Sequence, residues 1–170
     1  MLYILAFCFA LVAIIFWIIS VQRSLVVIDE NTRNAMLQIG VQISSQWEVL
    51  TSLLDSTEWC AAHECETITE TMKTRRMITK DSSLDDVRKQ KMFLAEAETK
   101  IVKFEESSAE LREDCRYIKT IKAVHQYENM VRTSMLIYND SASKLNHAIH
   151  MFPASMIAGI LGFSHRGYFE

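Results

Sequence analysis

Three residues in the middle of the chain, Cys60, His63 and Cys65, have side chains that could bind a metal ion. Thiolates and imidazoles are the ligands that zinc prefers, and a structural zinc site usually needs four of them. Four residues separate the two cysteines here, and helix positions five apart point about 140° away from each other. Free thiols are also ordinary in a reducing cytoplasm. We therefore expect three unrelated residues and no metal site.

Other stretches match part of a known catalytic motif but lack the residues or the spacing that complete it. The run from Gly162 to Gly167 is one residue too long for the G-x-S-x-G nucleophile elbow. His63 and Glu64 begin like H-E-x-x-H, but Thr67 stands where the second histidine is required. Di-iron helical bundles need a glutamate three residues before a histidine. The residues at those positions are Cys60, Lys122, Lys144, His147 and Gly162. We therefore expect no enzyme activity, no cofactor and no small-molecule substrate.

A cluster of basic residues could bind an anionic surface. It consists of Lys73, Arg75, Arg76 and Lys80, and either anionic lipid or an acidic protein would suit it. Glu66 and Glu70 lie close by in the sequence, which favours the alternative that the cluster is a solvated helix end. The whole chain has 18 basic and 21 acidic residues and a net charge of −3, which argues against nucleic-acid binding.

The elements that position these residues are predicted to be helices. The 170 residues include only 4 glycines and 1 proline, whereas average usage would give about 12 and 8. Sheets with tight turns and phosphate-binding loops need glycine for its positive φ angles. We therefore predict an all-α fold.

The first 21 residues carry no charge, and every charged side chain lies at Arg23 or later. The 20 apolar residues from Leu2 to Val21 would span about 30 Å as a helix, which is the thickness of a bilayer core. A cleaved signal peptide would need a basic start and a shorter apolar core. We therefore predict a transmembrane anchor over residues 1–21. Because Arg23 and Arg33 follow it and no basic residue precedes it, the N-terminus should lie outside the cell and the rest in the cytoplasm.

Helical apolar periodicity continues through the rest of the chain. One stripe is predicted to extend the membrane helix from Gln22 to Trp59, although the sequence leaves open whether this helix breaks near Asp55–His63. A second apolar face reaches about Met77 and is followed by a loop over residues 79–83. Ser83 and Asp86 then form a capping box that begins a third helix, from Leu84 to about Phe104. A second capping box is predicted at Ser107 and Glu110.

The last long helix has the clearest stripe, with Tyr138, Leu145 and Phe152 at seven-residue spacing and Asn139 and Asn146 beside the first two. It runs from Cys115 to Phe152, about 57 Å, and Pro153 ends it. Two long helices of matched length predict a long antiparallel up-and-down four-helix bundle over residues 22–153. The C-terminal tail, residues 154–170, is apolar. It could reach the lipid or cap the bundle, and both alternatives stay open.

Several blocks of this sequence together resemble the LemA family. The C-terminal blocks are Tyr138-Asn139-Asp140, Asn146, Phe152-Pro153, and Gly162-Phe163 through Tyr168-Phe169-Glu170. The N-terminal blocks are the single apolar helix, Ser24-Leu25-Val26, Asp29-Glu30, Gln38 through Gln42, and Ala61 through Glu64. The resemblance implies a single-pass protein of the bacterial cell membrane with a cytoplasmic four-helix bundle, and it implies neither enzyme activity nor a cofactor.

Two functions agree with these features. The first is a membrane-anchored helical scaffold or adaptor that binds a protein partner through a helix face. The second is a self-assembling structural protein that organises or shapes the membrane, based on the small residues of the membrane helix and the apolar tail.

Overall fold

The computed structural model describes residues 1–56, 70, 73–107, 113 and 115–170, and these residues are almost entirely helical. Four helices lie within them: α1 (Leu2–Ser56), α2 (Leu84–Ser107), α3 (Cys115–His150) and the short α4 (Ser155–Ala158). No strand occurs in the described ranges. The prediction of an all-α fold is confirmed.

Helix α1 is continuous over 55 residues. The side chains from Tyr3 to Phe16 are all exposed, although most are apolar, and the first buried residue is Leu25. Among the described residues, α1 is the helix whose length and composition would allow it to cross a membrane. The predicted continuation of the apolar helix beyond Gln22 is confirmed as far as Ser56. The rest of the predicted break region, with the cysteines and histidine of the candidate metal cluster, lies outside the described residues.

The described residues form two compact units. The first combines Met1–Asn34 with Ile137–Glu170, and its core contains Leu25, Leu145, Ile149 and Ala158. Val21, Ile28 and Phe163 pack against that core.

The second unit is Ala35–Leu136. Its buried side chains come from α1, α2 and α3 at the predicted three- and four-residue spacings. The buried apolar residues include Ile39, Ile43, Trp47, Leu50, Val87, Leu94, Ala97, Ile101, Val124 and Val131.

Helix α2 begins with the predicted capping box. The Ser83 hydroxyl accepts a hydrogen bond from the backbone N–H of Asp86 at 3.1 Å, and the Asp86 carboxylate accepts one from the N–H of Ser83 at 2.9 Å. This reciprocal pair satisfies two donors that a helix start otherwise leaves free. The helix continues to Ser107, and the second predicted box lies partly outside the described residues.

The chain between residues 74 and 83, here called the basic loop, is not helical. The prediction of an apolar helical face extending to Met77 is therefore wrong at its end. Met77 is 78% exposed, whereas Ile78 is buried. The backbone carbonyl of Ile78 lies only 2.5 Å from the position that a Cβ atom on Gly40 would occupy. Glycine at residue 40 lets the loop backbone approach α1 this closely.

Helix α3 ends at His150, two residues before its predicted end. Tyr138 and Leu145 are buried as the seven-residue pattern predicts. Phe152, the third member of that pattern, is 77% exposed, so the prediction that it packs inward is wrong. Because Phe152 lies beyond the last helical turn, the helical period no longer sets its direction.

Candidate functional site

Within the described residues, the cysteine and histidine side chains are dispersed along the chain. Cys8 and Cys115 are free and exposed. His147 and His150 are both exposed near the end of α3, and the ring centroid of His150 lies 6.4 Å from that of His165. Within the described ranges, no group of three or more histidine, cysteine or acidic side chains is arranged to hold a metal ion.

One titratable cluster lies where α2 meets α3. The imidazole of His125 lies 3.7 Å from the Glu98 carboxylate and 3.8 Å from that of Glu128. Burial raises the pKa of Glu98, and the nearby His125 partly offsets that effect. All three side chains lie on helix surfaces, and none of them lines a cavity described below. This cluster is an ion-pair network on a helix surface.

Three of the four predicted basic residues border an open groove. The groove has a volume of about 620 Å³ and lies between the basic loop and the first turns of α2. Lys73, Arg75 and Arg76 line one side, while Asp86, Lys89 and Phe93 lie on the α2 side. Lys80, the fourth predicted residue, does not line it. The prediction of a solvated helix end is confirmed at Lys73, which is helical and exposed, while Arg75 and Arg76 lie in the exposed basic loop that follows.

The buried side chain of Gln90 fixes the loop that carries these cations. Its amide oxygen accepts a hydrogen bond from the N–H of Arg76 at 3.0 Å, and its amide nitrogen donates to the carbonyl of Thr74 at 3.2 Å. Gln90 is 2% exposed, so water competes little for these bonds. Arg75 also lies 3.4 Å from the Glu48 carboxylate, in an exposed ion pair. Gln90 thus determines where the backbone of the basic loop lies.

A second arrangement of the same kind holds the C-terminal tail. The side chain of Asn139 donates to the carbonyl of Phe169 at 2.7 Å and accepts from the N–H of the same residue at 2.8 Å. Asn146 makes the same pair of bonds with Arg166, both at 2.8 Å, and also donates to the hydroxyl of Tyr168. We call Asn139 and Asn146 the amide clamp.

The spacing of the amide clamp matches an extended chain. Asn139 and Asn146 are seven residues apart on α3, which is about 10.5 Å along a helix. Arg166 and Phe169 are three residues apart, which is about 10 Å along an extended chain. The tail runs antiparallel to α3, because its later residue meets the earlier asparagine. The clamp therefore binds mainly main-chain groups, at one fixed register, and the Tyr168 hydroxyl is its one side-chain partner.

Side-chain contacts strengthen this attachment. The guanidinium of Arg166 lies 2.9 Å from the Asp29 carboxylate on α1, and Arg33 lies 3.2 Å from the other oxygen of Asp29. The ring of Phe169 packs edge-on against Tyr138 with centroids 5.0 Å apart. Burial raises the pKa of the Tyr138 phenol, and the nearby Arg166 partly offsets that effect.

The sequence indicated some of these residues and missed others. Asn139 and Asn146 stood out as amides at the edge of an apolar stripe, but their partners in the tail were not predicted. Gln90 was missed, although it lies at a stripe position between Val87 and Leu94 where the helical period calls for an apolar side chain. The pairing of Asp29 with Arg166 was also missed, because the two residues are 137 positions apart.

Comparison with known proteins gives one match. The model of the LemA family matches residues 35–170 of the chain. No curated protein and no solved structure matches it.

Proposed function

The chain belongs to the LemA family, and on that premise we propose that it is a membrane-anchored, non-enzymatic helical scaffold or adaptor. In this proposal residues 1–21 anchor the protein in the bacterial cell membrane, residues 22–153 form the partner-binding bundle, and residues 154–170 form the tail. The protein binds the lipid bilayer and a protein partner, and it binds no nucleic acid, cofactor, metal or small-molecule substrate.

The observation that carries this proposal is the change of environment along α1. The helix passes from an uncharged stretch whose apolar side chains are exposed to a stretch whose stripe is buried, without an interruption. A soluble protein seldom exposes so much contiguous apolar surface. A bilayer would cover the exposed stretch, and Arg23 and Arg33 would hold its end on the cytoplasmic side.

Contacts between α1 and α3 within each of the two units support the proposed bundle. In the first unit Leu25 packs with Leu145 and Ile149, and in the second unit Gln46 donates a hydrogen bond to the carbonyl of Val124 at 3.3 Å. We propose that α2 is a further helix of the up-and-down bundle.

The groove beside the basic loop is the surface that we propose for the protein partner. Lys73, Arg75, Arg76 and Lys89 give it an excess of positive charge, and among the residues that the structure describes Asp86 is the acidic one in its lining. Complementary charge favours association with an acidic segment of another protein. The proposed partner is therefore an acidic protein surface.

Crosslinked affinity purification from native membranes tests the adaptor role. We expect a second protein in stoichiometric amount, identified by mass spectrometry. The charge reversals Arg76→Glu and Lys73→Glu should remove it, because they neutralise the groove. The matched control is Lys103→Glu on the exposed surface of α2, which should leave the partner bound. Equal recovery with all three variants would contradict the groove as the binding surface.

Self-assembly is the second candidate function, and the exposed apolar side chains of the C-terminal region favour it. Met156 is 66% exposed and Ile160 is 85% exposed. If copies of the chain associate through this surface, Met156→Ser and Ile160→Ser should reduce the size of the oligomer in mild detergent. Phe163 is unsuitable for this test, because its partly buried ring packs against the core. A monomeric wild-type protein would exclude this candidate.

A further inference from the structure

The chain between α3 and the amide clamp carries no charged residue from Met151 to Ser164. Three large apolar side chains in this stretch are highly exposed: Phe152 at 77%, Met156 at 66% and Ile160 at 85%. We call these three residues the tip patch. Apolar side chains that are exposed together in an uncharged stretch usually mark an interaction surface.

Two members of the tip patch, Met156 and Ile160, lie on one side of the segment that contains α4, and Phe152 lies at the start of that segment. Met156 and Ile160 are four residues apart, and four-residue neighbours share a helix face. Helical hydrogen bonds join Ser155 to Met151, Ala158 to Ala154 and Leu161 to Ile157. The other side of the segment carries Ala158, which is buried against Leu25, Leu145 and Ile149. One side therefore packs on the core while the opposite side remains exposed.

The segment is held firmly at both ends. It leaves α3 at His150, and it returns to the same helix where Arg166 and Phe169 bind the amide clamp. Its core contacts occur between these two attachments. The tip patch is thus presented by a fixed structure at the end of α3, and ordering it on binding costs little conformational entropy.

The level at which the segment packs along α1 indicates which part of the proposed membrane anchor lies next to the tip patch. The segment's buried residue Ala158 belongs to the same core cluster as Leu25, and Val21 and Ile28 of α1 pack against that cluster. Val21 is the last residue of the uncharged stretch, and Ile28 lies about 10 Å further along the helix. The headgroup region adds about 5–7 Å to each side of a bilayer core. The segment therefore packs at the level where the proposed anchor leaves the hydrocarbon.

We propose that the tip patch inserts into the boundary between headgroups and acyl chains of the leaflet that α1 leaves. The inference rests on the membrane anchoring proposed above, and it adds a second lipid contact beside the helix. A lipid surface fits better than a protein groove because the patch is uncharged and continuous with the level of the anchor. Aromatic and large aliphatic side chains are those that bury favourably at this depth.

Photocrosslinking in the full-length protein tests the inference. The photoreactive residue benzoylphenylalanine replaces Phe152 or Ile160, and the protein is reconstituted into vesicles of phosphatidylethanolamine and phosphatidylglycerol. The control position is Ile137, which is half exposed on α3 and about 20 Å from the tip. Phe9, exposed within the proposed anchor, serves as the reference for lipid contact. Lipid adducts are counted by mass spectrometry of the intact protein.

We expect Phe152 and Ile160 to give at least about fivefold more lipid adducts than Ile137, because interfacial side chains meet acyl chains and remote ones do not. If Phe9 forms adducts while the tip positions match Ile137, the inference fails and the membrane anchor stands. If Phe9 forms none, the anchor itself fails and the inference fails with it. Adducts between copies of the protein at the tip positions, in place of lipid, would overturn the inference in favour of self-assembly.

Discussion

The basic loop and residues 163–170 of the C-terminal tail are two non-helical segments that helices hold by the same means. In the loop, Gln90 binds the N–H of one residue and the carbonyl of another two positions earlier. In the tail, Asn139 and Asn146 each bind the N–H and the carbonyl of a single residue. A buried carboxamide can donate and accept at once, so it satisfies a backbone that has no secondary structure of its own.

The two segments differ in what supports those bonds. The loop has one amide, the close contact with Gly40 and the buried Ile78, and its charged side chains face solvent. The tail has two amides in register, the ion pair with Asp29 and an aromatic contact with Tyr138. The comparison indicates that the position of the basic loop depends mainly on the close contact between Ile78 and Gly40, whereas the position of the tail depends on several polar contacts.

Gly40→Ala should have the largest effect, because the new Cβ would lie 2.5 Å from the Ile78 carbonyl oxygen. Backbone must move to relieve that contact, and we expect a loss of about 3 kcal/mol in the free energy of unfolding. Urea unfolding of the detergent-solubilised protein measures it. Gly159→Ala is the matched control, since nothing lies within 4 Å of its Cβ position. Equal stability of the two variants would contradict the role assigned to Gly40.

Asn146→Ala should release the tail. It removes three hydrogen bonds and leaves the N–H and carbonyl of Arg166 without this partner, which should cost about 2 kcal/mol. Hydrogen exchange at the Arg166 and Phe169 amides should accelerate, while the Arg76 amide in the loop stays protected. Ser143→Ala, at an exposed position of the same helix, should change none of these rates. Unchanged exchange at Arg166 would argue against the amide clamp.

Gln90→Ala should have the opposite effect to Asn146→Ala, because it should release the basic loop while the tail stays bound. We expect faster exchange at the Arg76 amide, unchanged exchange at Phe169, and a loss of about 1.5 kcal/mol, because two bonds to the loop backbone disappear. The exposed neighbour Lys91→Ala provides the control. If Gln90→Ala also exposed the Phe169 amide, the loop and tail would not be independently held.

Ser83→Ala tests the smallest of these contributions, the capping box that separates the loop from α2. We expect a loss of about 1 kcal/mol in the free energy of unfolding.

Hydrogen bonds from Ser83 lower the pKa of Asp86 below its ordinary value of 3.8. The stabilisation by this carboxylate is therefore present above that value and is lost as the pH falls below it. In a denaturation series against pH, Asp86→Asn should lack this acid-side decrease, and an identical pH profile would contradict the assignment.

The sequence predicted the features that depend on local chemistry. Helical spacing indicated the buried faces of α1, α2 and α3, and the Ser83–Asp86 pattern indicated where α2 begins. It failed where contacts join distant residues. The contacts of Asp29 with Arg166 and of Gly40 with Ile78 form only after the helices pack. No local sequence pattern predicts such contacts. Gln90 was recognisable in principle as a polar residue on an apolar stripe, yet its partners were not.

The amide clamp constrains how this protein can change over time. Four of the five hydrogen bonds of the amide clamp join Asn139 and Asn146 to main-chain atoms of Arg166 and Phe169, and the fifth joins Asn146 to the Tyr168 hydroxyl. The four main-chain bonds do not require a particular side chain at residue 167 or 168. Substitutions there leave the main-chain bonds in place. An inserted or deleted residue between 166 and 169 would instead shift one end of the segment by about 3.3 Å and break the match to the helix. The clamp therefore constrains the length of this segment more than its composition.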